Sequence, residues 1–189
     1  MYQLYGFDLG ASVDHIPLPI FSSEERERRL ELTRTNAKRF IELHKIRKCT
    51  FVPVGVIQGT DPESYARELK AYKEMGYAHV GIGGLVPRSD KEILAVMQAL
   101  GRERKAMKRA PWMHLFGVYR PKIHRQLYKL GAASFDSATY FRKAWLRSDQ
   151  NYLNADGSWH AAIRIPPSQT TGSREHSLPS RSISSWQTR

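Results

Sequence analysis

Residues 132–147 read AASFDSATYFRKAWLR, and the chain is organised around this stretch. A short run of small and apolar residues ends abruptly at Asp136, a Ser/Ala/Thr turn follows, and a basic, aromatic-rich helix is predicted after the turn. A carboxylate at the end of a buried strand is costly unless something pairs with it or uses it. A helix cap or an ion pair would explain Asp136 taken alone. Four other strand ends upstream, however, carry similarly unusual residues.

The chain repeats one unit, in which an apolar run is followed by a polar or glycine turn and then by an amphipathic helix. The apolar runs begin near residues 8, 51, 78, 112 and 132. Residues 51–57 are continuously apolar, which is typical of a strand buried on both faces. Strands that alternate with amphipathic helices predict a parallel sheet. Both a doubly wound sheet and a (β/α)8 barrel fit this pattern, although five units are too few to close eight strands.

Local signals mark where the helices begin and end. Thr60, with Pro62 in the first turn and Glu63 three residues after it, predicts a capping box at the start of the second helix. Gly76 is expected to end that helix, because glycine readily takes the left-handed conformation. Ser89 predicts the start of the third helix.

Unusual residues recur where each strand gives way to its helix. In βα proteins the carboxyl ends of the strands form the edge at which ligands bind. Each residue also has a purely structural explanation, since an aspartate can cap a helix, a glutamine amide can satisfy turn backbone, and a tight turn needs glycine. The residues are Asp14, Gln58, Gly83 with Gly84, Gly117 and Asp136.

The charge of the chain points to a polyanionic partner. The 189 residues carry a formal net charge of +12, which favours nucleic acid first and a generally basic surface as the alternative. Basic residues cluster at 102–109 and 120–129, and again at Arg142, Lys143 and Arg147, with aromatic residues interleaved.

Other compositional features exclude several classes. The sequence contains no run of about 18 apolar residues, the length that a membrane-spanning helix needs. The first residues lack the pattern of a signal peptide. Cys49 is the single cysteine, so the chain can form neither an internal disulfide nor an all-cysteine metal site. We therefore expect a cytoplasmic protein with no cofactor held within this chain.

Four motifs match, in order and spacing, those of the tRNA-guanine transglycosylase superfamily. They are VGVIQG at 54–59, GIGGL at 81–85, HLFGV at 114–118 and SFDS at 134–137. The upstream stretch GFDLGASVDH resembles the strand of that family that ends in a base-recognising aspartate. The resemblance covers about residues 6–165. It is closer to the DNA-modifying branch, which exchanges guanine for a 7-deazaguanine in DNA, than to the branch that modifies transfer RNA.

The resemblance implies an α/β fold, a partial (β/α)8 TIM barrel of about five units, and base exchange by a pentosyltransferase without strand cleavage. Asp136 would be the nucleophile that attacks C1′ and leaves a covalent glycosyl–enzyme intermediate. Asp14 would hold the N–H groups of the base, while Gln58 and the Gly84 backbone would hold its carbonyl edge. Gly83, Leu85 and Gly117 would line the same base site. Arg142, Lys143 and Arg147 would contact the nucleic acid and assist base flipping.

The chain departs from that family in three ways. The family's other essential aspartate, a general acid/base in an Asp-Ser-Gly-Gly-Phe or similar motif upstream of Asp14, is missing from this sequence. The transfer-RNA enzymes also carry a cysteine-and-histidine zinc site after the nucleophile, so zinc belongs to a longer family member, whereas Cys49 is in the wrong place. Five units also leave a barrel open. We therefore expect a fragment of a longer enzyme, inactive alone, that is partnered by the missing N-terminal half of the barrel.

The predicted domains are a partial barrel at 1–147, a β-hairpin extension at 148–167 and a disordered tail at 168–189. The hairpin turn is expected at Asn154 to Gly157, and the tail has almost no apolar residues. Two alternatives to a transglycosylase stay open: a non-catalytic nucleic-acid-binding remnant, and a phosphate-binding barrel enzyme that uses Gly83 and Gly84 as an anion site.

Overall fold

A computed structural model of the protein describes residues 1–146 and 151–161. Strands and helices alternate through the first of these ranges. The elements are β1 (Leu9–Ala11), α1 (Ser23–Ile46), β2 (Val52–Ile57), α2 (Pro62–Met75), β3 (His79–Ile82), α3 (Asp90–Lys105), β4 (Trp112–Leu115), a 3-10 turn (Pro121–Ile123), α4 (His124–Lys129), β5 (Ala132–Phe135), α5 (Thr139–Leu146), β6 (Tyr152–Leu153) and β7 (Trp159–His160).

The first five strands form one parallel sheet in the order β1-β2-β3-β4-β5. Each strand therefore pairs with the strand that precedes it in the chain, and the order never reverses. A doubly wound sheet requires a reversal of strand order, whereas a barrel adds its strands in sequence. The structure thus decides between the two architectures and confirms the partial TIM-barrel fold.

The core lies between this sheet and the helices. Its largest fully buried side chains include three tyrosines, Tyr65, Tyr72 and Tyr77. A Cβ atom on Gly55 of β2 would lie 2.6 Å from the Tyr72 ring, so glycine is required where the ring packs against the strand. Along β4, buried Met113 and Leu115 alternate with half-buried residues on the opposite face of the strand.

Two local predictions need correction. The apolar run that begins near residue 8 predicts a first strand over residues 7–13, but only Leu9–Ala11 is strand. The Ser12 N–H still donates to the Val54 carbonyl. The capping box of α2 is formed by Asp61 and Ser64, not by Thr60 and Glu63. The reason is Pro62, which occupies the first helical position and thereby places the cap on the residue directly before it.

Other boundaries agree with the sequence. Ser22 and Ser89 cap α1 and α3, and Gly76 ends α2 in the left-handed conformation with φ 99°. Along the described ranges, no helix combines the length and apolar character needed to cross a lipid bilayer.

The chain divides into two compact units, Met1–Arg142 and Lys143–Arg189. In the second unit β6 and β7 pair antiparallel, and the Gly157 N–H donates to the Asn154 carbonyl at 3.0 Å across the turn, as predicted. Residues 148–150 and 162–167 of the expected hairpin extension, and the expected disordered tail at 168–189, lie outside the described residues. The boundary predicted after residue 147 stays a prediction.

Candidate active site

The carboxyl ends of the five parallel strands meet at one edge of the sheet, and residues singled out from the sequence follow those ends. Gln58 comes directly after β2, Gly83 after β3 and Asp136 after β5. Asp14 and Gly117 lie slightly further beyond β1 and β4. The parallel pairing thus brings to one edge five positions that are widely separated in the sequence.

A cavity of about 580 Å³ opens at this edge. Five of the predicted base-binding residues line it: Asp14, Gln58, Gly83, Gly84 and Gly117. Tyr2, Val86 and Phe116 supply apolar and aromatic wall; sequence reasoning did not single out these residues, although Phe116 stands inside the HLFGV motif. Leu85, the sixth predicted base-binding residue, is not among the residues that line the cavity, and its side chain is fully buried in the core.

Gln58 and Asp14 form a pair at the cavity wall. The Gln58 Nε2 donates to the Asp14 Oδ2 at 2.5 Å, and Gln58 is 1% exposed. A carboxylate can only accept, so the amide nitrogen must face Asp14. The amide oxygen, Oε1, is buried and has no hydrogen-bond partner among the described residues. An unsatisfied buried acceptor costs about 1–3 kcal/mol, so this oxygen is suited to accept an N–H from a ligand.

The glycine pair lets the Gln58 amide lie directly against the turn. A Cβ on Gly83 would overlap the Gln58 Nε2, and one on Gly84, whose φ is +71°, would lie 2.6 Å from Oε1. The buried Tyr65 hydroxyl donates to the Gly83 carbonyl at 2.8 Å, and burial raises the pKa of Tyr65 and so keeps the hydroxyl protonated. Arg88 donates to the Gly84, Gly59 and Thr60 carbonyls at 3.3, 3.1 and 3.2 Å, which ties the two turns together.

Asp136 lies beside this cavity. Its Oδ1 accepts from the Gly117 N–H at 2.7 Å, and Gly117 itself lines the cavity. The Nε2 of His114 is 3.2 Å from the same oxygen, while the His114 Nδ1 is 2.6 Å from the Ser134 Oγ. The structure therefore joins Asp136 to the predicted base site through Gly117, and it adds His114 and Ser134, which the sequence analysis did not select.

A shift in register between β4 and β5 creates this arrangement. Met113 pairs with Ala132 but His114 pairs with Ser134, so Ala133 is an extra residue on β5. Such a bulge moves the following side chains to the other face of the strand. Ser134, and Asp136 two residues later, thereby come to the same face as His114.

The comparisons with known proteins agree with this geometry. The family model described as queuine tRNA-ribosyltransferase matches residues 2–163. The chain belongs to this family.

Two curated relatives show where the similarity lies. A DNA-guanine transglycosylase from Salmonella montevideo is 33% identical over 174 residues, which is 87% of this chain and 41% of that protein. A tRNA-guanine(15) transglycosylase from Methanocaldococcus jannaschii is 29% identical over 157 residues, 82% of this chain and 24% of that protein. The chain thus spans less than half the length of either of these two relatives.

The residues predicted to contact nucleic acid are placed only in part. Arg142 is exposed. The Lys143 Nζ lies 3.7 Å from the centre of the Trp159 ring, a cation–π contact within the second unit. Arg147 lies outside the described residues.

The described residues offer no donor set for the zinc site of the family's transfer-RNA branch. Among the residues that the structure describes, no three His, Cys, Asp or Glu side chains come together as a metal site requires. Cys49 precedes β2, at the opposite edge of the sheet from Asp136. We derive no step through a metal in this chain.

Proposed function

We propose that this chain carries the base-binding residues and the nucleophile of a guanine transglycosylase, which replaces guanine by a 7-deazaguanine in nucleic acid. DNA is the favoured polymer, because the DNA-guanine transglycosylase matches more of this chain and at higher identity. It is 33% identical over 87% of this chain, whereas the tRNA-guanine(15) transglycosylase is 29% identical over 82% of it. The difference is small, and transfer RNA is therefore the second candidate.

The observation that carries this proposal is a carboxylate fixed by Gly117, a residue that lines a cavity large enough to admit a purine base. Asp136 Oδ1 is fixed by the Gly117 N–H at 2.7 Å, so the second oxygen, Oδ2, is available for attack on C1′ of the target nucleotide. The C1′–N9 bond breaks, and its electron pair leaves with guanine, which takes up a proton from water. The incoming 7-deazaguanine then gives its N9 proton to the hydroxide left when water protonated guanine, and its N9 bonds to C1′. The Asp136 carboxylate leaves with the electron pair of its bond to C1′. The transition states have oxocarbenium character, which a nearby carboxylate stabilises.

Base recognition in this proposal uses the polar wall of the cavity. The Asp14 carboxylate is an acceptor suited to the N1–H and 2-amino edge of guanine. Gln58 was expected to hold the carbonyl edge of the base, but its Nε2 donates to Asp14. Its Oε1, buried and without a partner in the described chain, is instead proposed to accept a further N–H, and the Gly84 backbone meets the carbonyl edge. Phe116 provides a ring on which the base stacks. A 7-deazaguanine keeps the same edge and therefore fits the same wall.

Nucleic acid reaches this edge with help from the basic residues. The net charge of +12 attracts the phosphate backbone without regard to sequence. A base inside a duplex must be flipped out before its C1′ can be attacked. Arg142, Lys143 and Arg147 are proposed to contact the phosphate backbone of the nucleic acid.

The test measures the covalent half-reaction, because this step uses only Asp136 and a proton from water, whereas complete exchange is expected to need the longer enzyme. The 189-residue protein is incubated with end-labelled DNA or transfer RNA, and adducts that survive denaturation are counted. We expect an adduct with DNA, none with Asp136→Asn, and an unchanged yield with Asp8→Asn, which makes the same chemical change at another exposed carboxylate. An adduct on transfer RNA alone would select the second candidate.

Binding of the free base is measured in parallel by calorimetry. Wild-type protein is expected to bind a 7-deazaguanine. Its affinity for inorganic phosphate should be weak, as expected from a basic surface without a specific phosphate site. Asp14→Asn should weaken base affinity about 10- to 100-fold, since a charged hydrogen-bond acceptor is worth about 1.5–3 kcal/mol. Absence of base binding, or of an adduct with both polymers, would overturn the proposal, and tight phosphate binding would favour the phosphate-binding alternative.

A further inference from the structure

Ser134, His114 and Asp136 form a hydrogen-bonded chain across β4 and β5. The Ser134 Oγ is 2.6 Å from the His114 Nδ1, and the His114 Nε2 is 3.2 Å from the Asp136 Oδ1. The histidine side chain is 17% exposed and the carboxylate 61% exposed. The chain therefore runs from a half-buried hydroxyl, through an imidazole, to the carboxylate that directly follows β5.

The imidazole of His114 is held on both sides by its own strand. The Trp112 ring lies 5.9 Å away and nearly parallel, at an interplanar angle of 16°. The Phe116 ring meets it edge-on at 4.7 Å and 71°. Two aromatic neighbours and two hydrogen bonds leave this ring little rotational freedom, so its Nε2 is fixed relative to the carboxylate.

The partners of the ring decide which nitrogen carries the proton. An ionised carboxylate only accepts hydrogen bonds, so the Nε2 that faces Asp136 must be an N–H. In the neutral ring Nδ1 is then an acceptor, and the Ser134 hydroxyl donates to it. The Asp136 carboxylate thus sets the tautomer, and Ser134 stabilises it by donating to Nδ1.

We propose that His114 is a positioning residue for Asp136. Together with the Gly117 N–H, the His114 Nε2–H fixes the carboxylate through Oδ1, and Oδ2 has no hydrogen-bond partner among the described residues. The carboxylate is thus presented with one oxygen held and the other directed to the substrate. This inference rests on the proposed function, in which Asp136 is the nucleophile, but the hydrogen-bonded chain itself is measurable without any substrate.

The first experiment observes the tautomer directly. The full chain is labelled with 15N-histidine, and long-range 1H–15N spectra identify which ring nitrogen is protonated; the His114 signals are assigned by their loss in His114→Gln. We expect the Nε2–H tautomer in the wild type and a mixture of tautomers in Ser134→Ala. A wild-type Nδ1–H tautomer, or a His114 signal that Ser134→Ala does not change, would overturn the proposal.

The second experiment separates positioning from binding. His114→Phe keeps an aromatic ring between Trp112 and Phe116 but removes the donor, and we expect adduct formation to slow by about 10²-fold, the effect of a misplaced reactive group. Affinity for the free 7-deazaguanine should stay within about twofold of the wild-type value, because His114 is not assigned a contact with the base. His114→Gln, whose amide N–H reaches toward the carboxylate, should recover part of the rate. His160→Phe on the exposed hairpin strand is the control and should match the wild type.

The outcomes distinguish this inference from the proposed function. A wild-type rate in His114→Phe, or a loss of base affinity equal to its loss of rate, would contradict a positioning role. If the wild type forms no adduct at all, the proposed function fails, and the tautomer spectra still decide whether Ser134, His114 and Asp136 form the chain.

Discussion

At the scale of single residues, the site depends on two glycines, which have no side chain, as much as on its polar residues. Gly83 and Gly84 leave room for the Gln58 amide, which is 1% exposed and faces Asp14. A tight turn alone would explain a glycine at φ +71°, but the packed amide explains why two glycines stand in succession. The pair is therefore part of the cavity wall and not only of the turn.

Replacing Gly84 with alanine tests that conclusion. The left-handed φ of +71° costs an L-residue about 1–2 kcal/mol, and the new Cβ would press on Gln58 Oε1. We expect a lower free energy of unfolding and, in addition, a loss of affinity for 7-deazaguanine. Gly157→Ala is the matched control, because its φ is +85° but nothing lies within 4 Å of the added Cβ. Denaturant unfolding and calorimetry measure both effects; normal base binding by Gly84→Ala would show that the amide is not held by the turn.

The residues around Asp136 show what the sequence could and could not predict. Asp136 was identifiable because a carboxylate at a strand end is unusual, and the motifs located Asp14, Gln58 and the glycine pair. His114 was not, since its contact with Asp136 depends on the extra residue Ala133 in β5. A bulge leaves no local pattern in composition, and without it Ser134 would lie on the opposite face from His114.

At the scale of secondary structure, local signals predicted most of the fold. Strands β2 to β5 and the helices between them were expected close to their observed bounds, because apolar runs, serine caps and Gly76 act over a few residues. The ends of β1 depend instead on how far it pairs with β2, and the extent of this pairing cannot be predicted from the local sequence. The cap of α2 was misplaced by one residue because Pro62 was assigned only to the first turn, whereas it occupies the first helical position.

The observed cap makes a prediction about acid stability. Burial raises the pKa of Asp61, but hydrogen bonds from the Ser64 N–H and the Thr60 hydroxyl outweigh burial and lower it below 3.8. A lowered pKa in the folded state means that the cap stabilises the protein above pH 3.8 and that this stability is lost as the pH falls through the folded-state pKa. Asp61→Ala should therefore reduce the free energy of unfolding by about 1 kcal/mol at neutral pH, with the difference shrinking in acid.

Glu63→Ala provides the comparison for that experiment. Glu63 would belong to the box if Thr60 were the cap, yet its side chain is 67% exposed and faces Arg102 at 3.8 Å. Removal of such an exposed first-turn carboxylate should cost about 0.5 kcal/mol or less. Urea unfolding at several pH values measures both variants, and a larger loss in Glu63→Ala than in Asp61→Ala would restore the cap at Thr60.

At the scale of the whole molecule, sheet order and charge act together. The sequential order of parallel strands places Asp14, Gln58, Gly84 and Asp136 at one edge, and no single element could have done so. The net charge of +12 would attract the proposed nucleic-acid substrate, but net charge does not determine which edge of the sheet the nucleic acid contacts. Binding of nucleic acid should therefore contain a general electrostatic part and a part that depends on named cations.

The salt dependence of DNA binding separates the two parts. Each phosphate neutralised by a cation contributes about −0.7 to −0.9 to the slope of log K against log salt. Arg142→Gln should weaken binding to all sequences alike and make the slope shallower by about 1. Lys38→Gln removes the same charge from an exposed position on α1 and should leave the slope unchanged. Fluorescence anisotropy at several salt concentrations gives both slopes. Equal slopes for the two variants would mean that Arg142 attracts DNA only through net charge, and the backbone contact proposed beside Asp136 would then have to come from other cations.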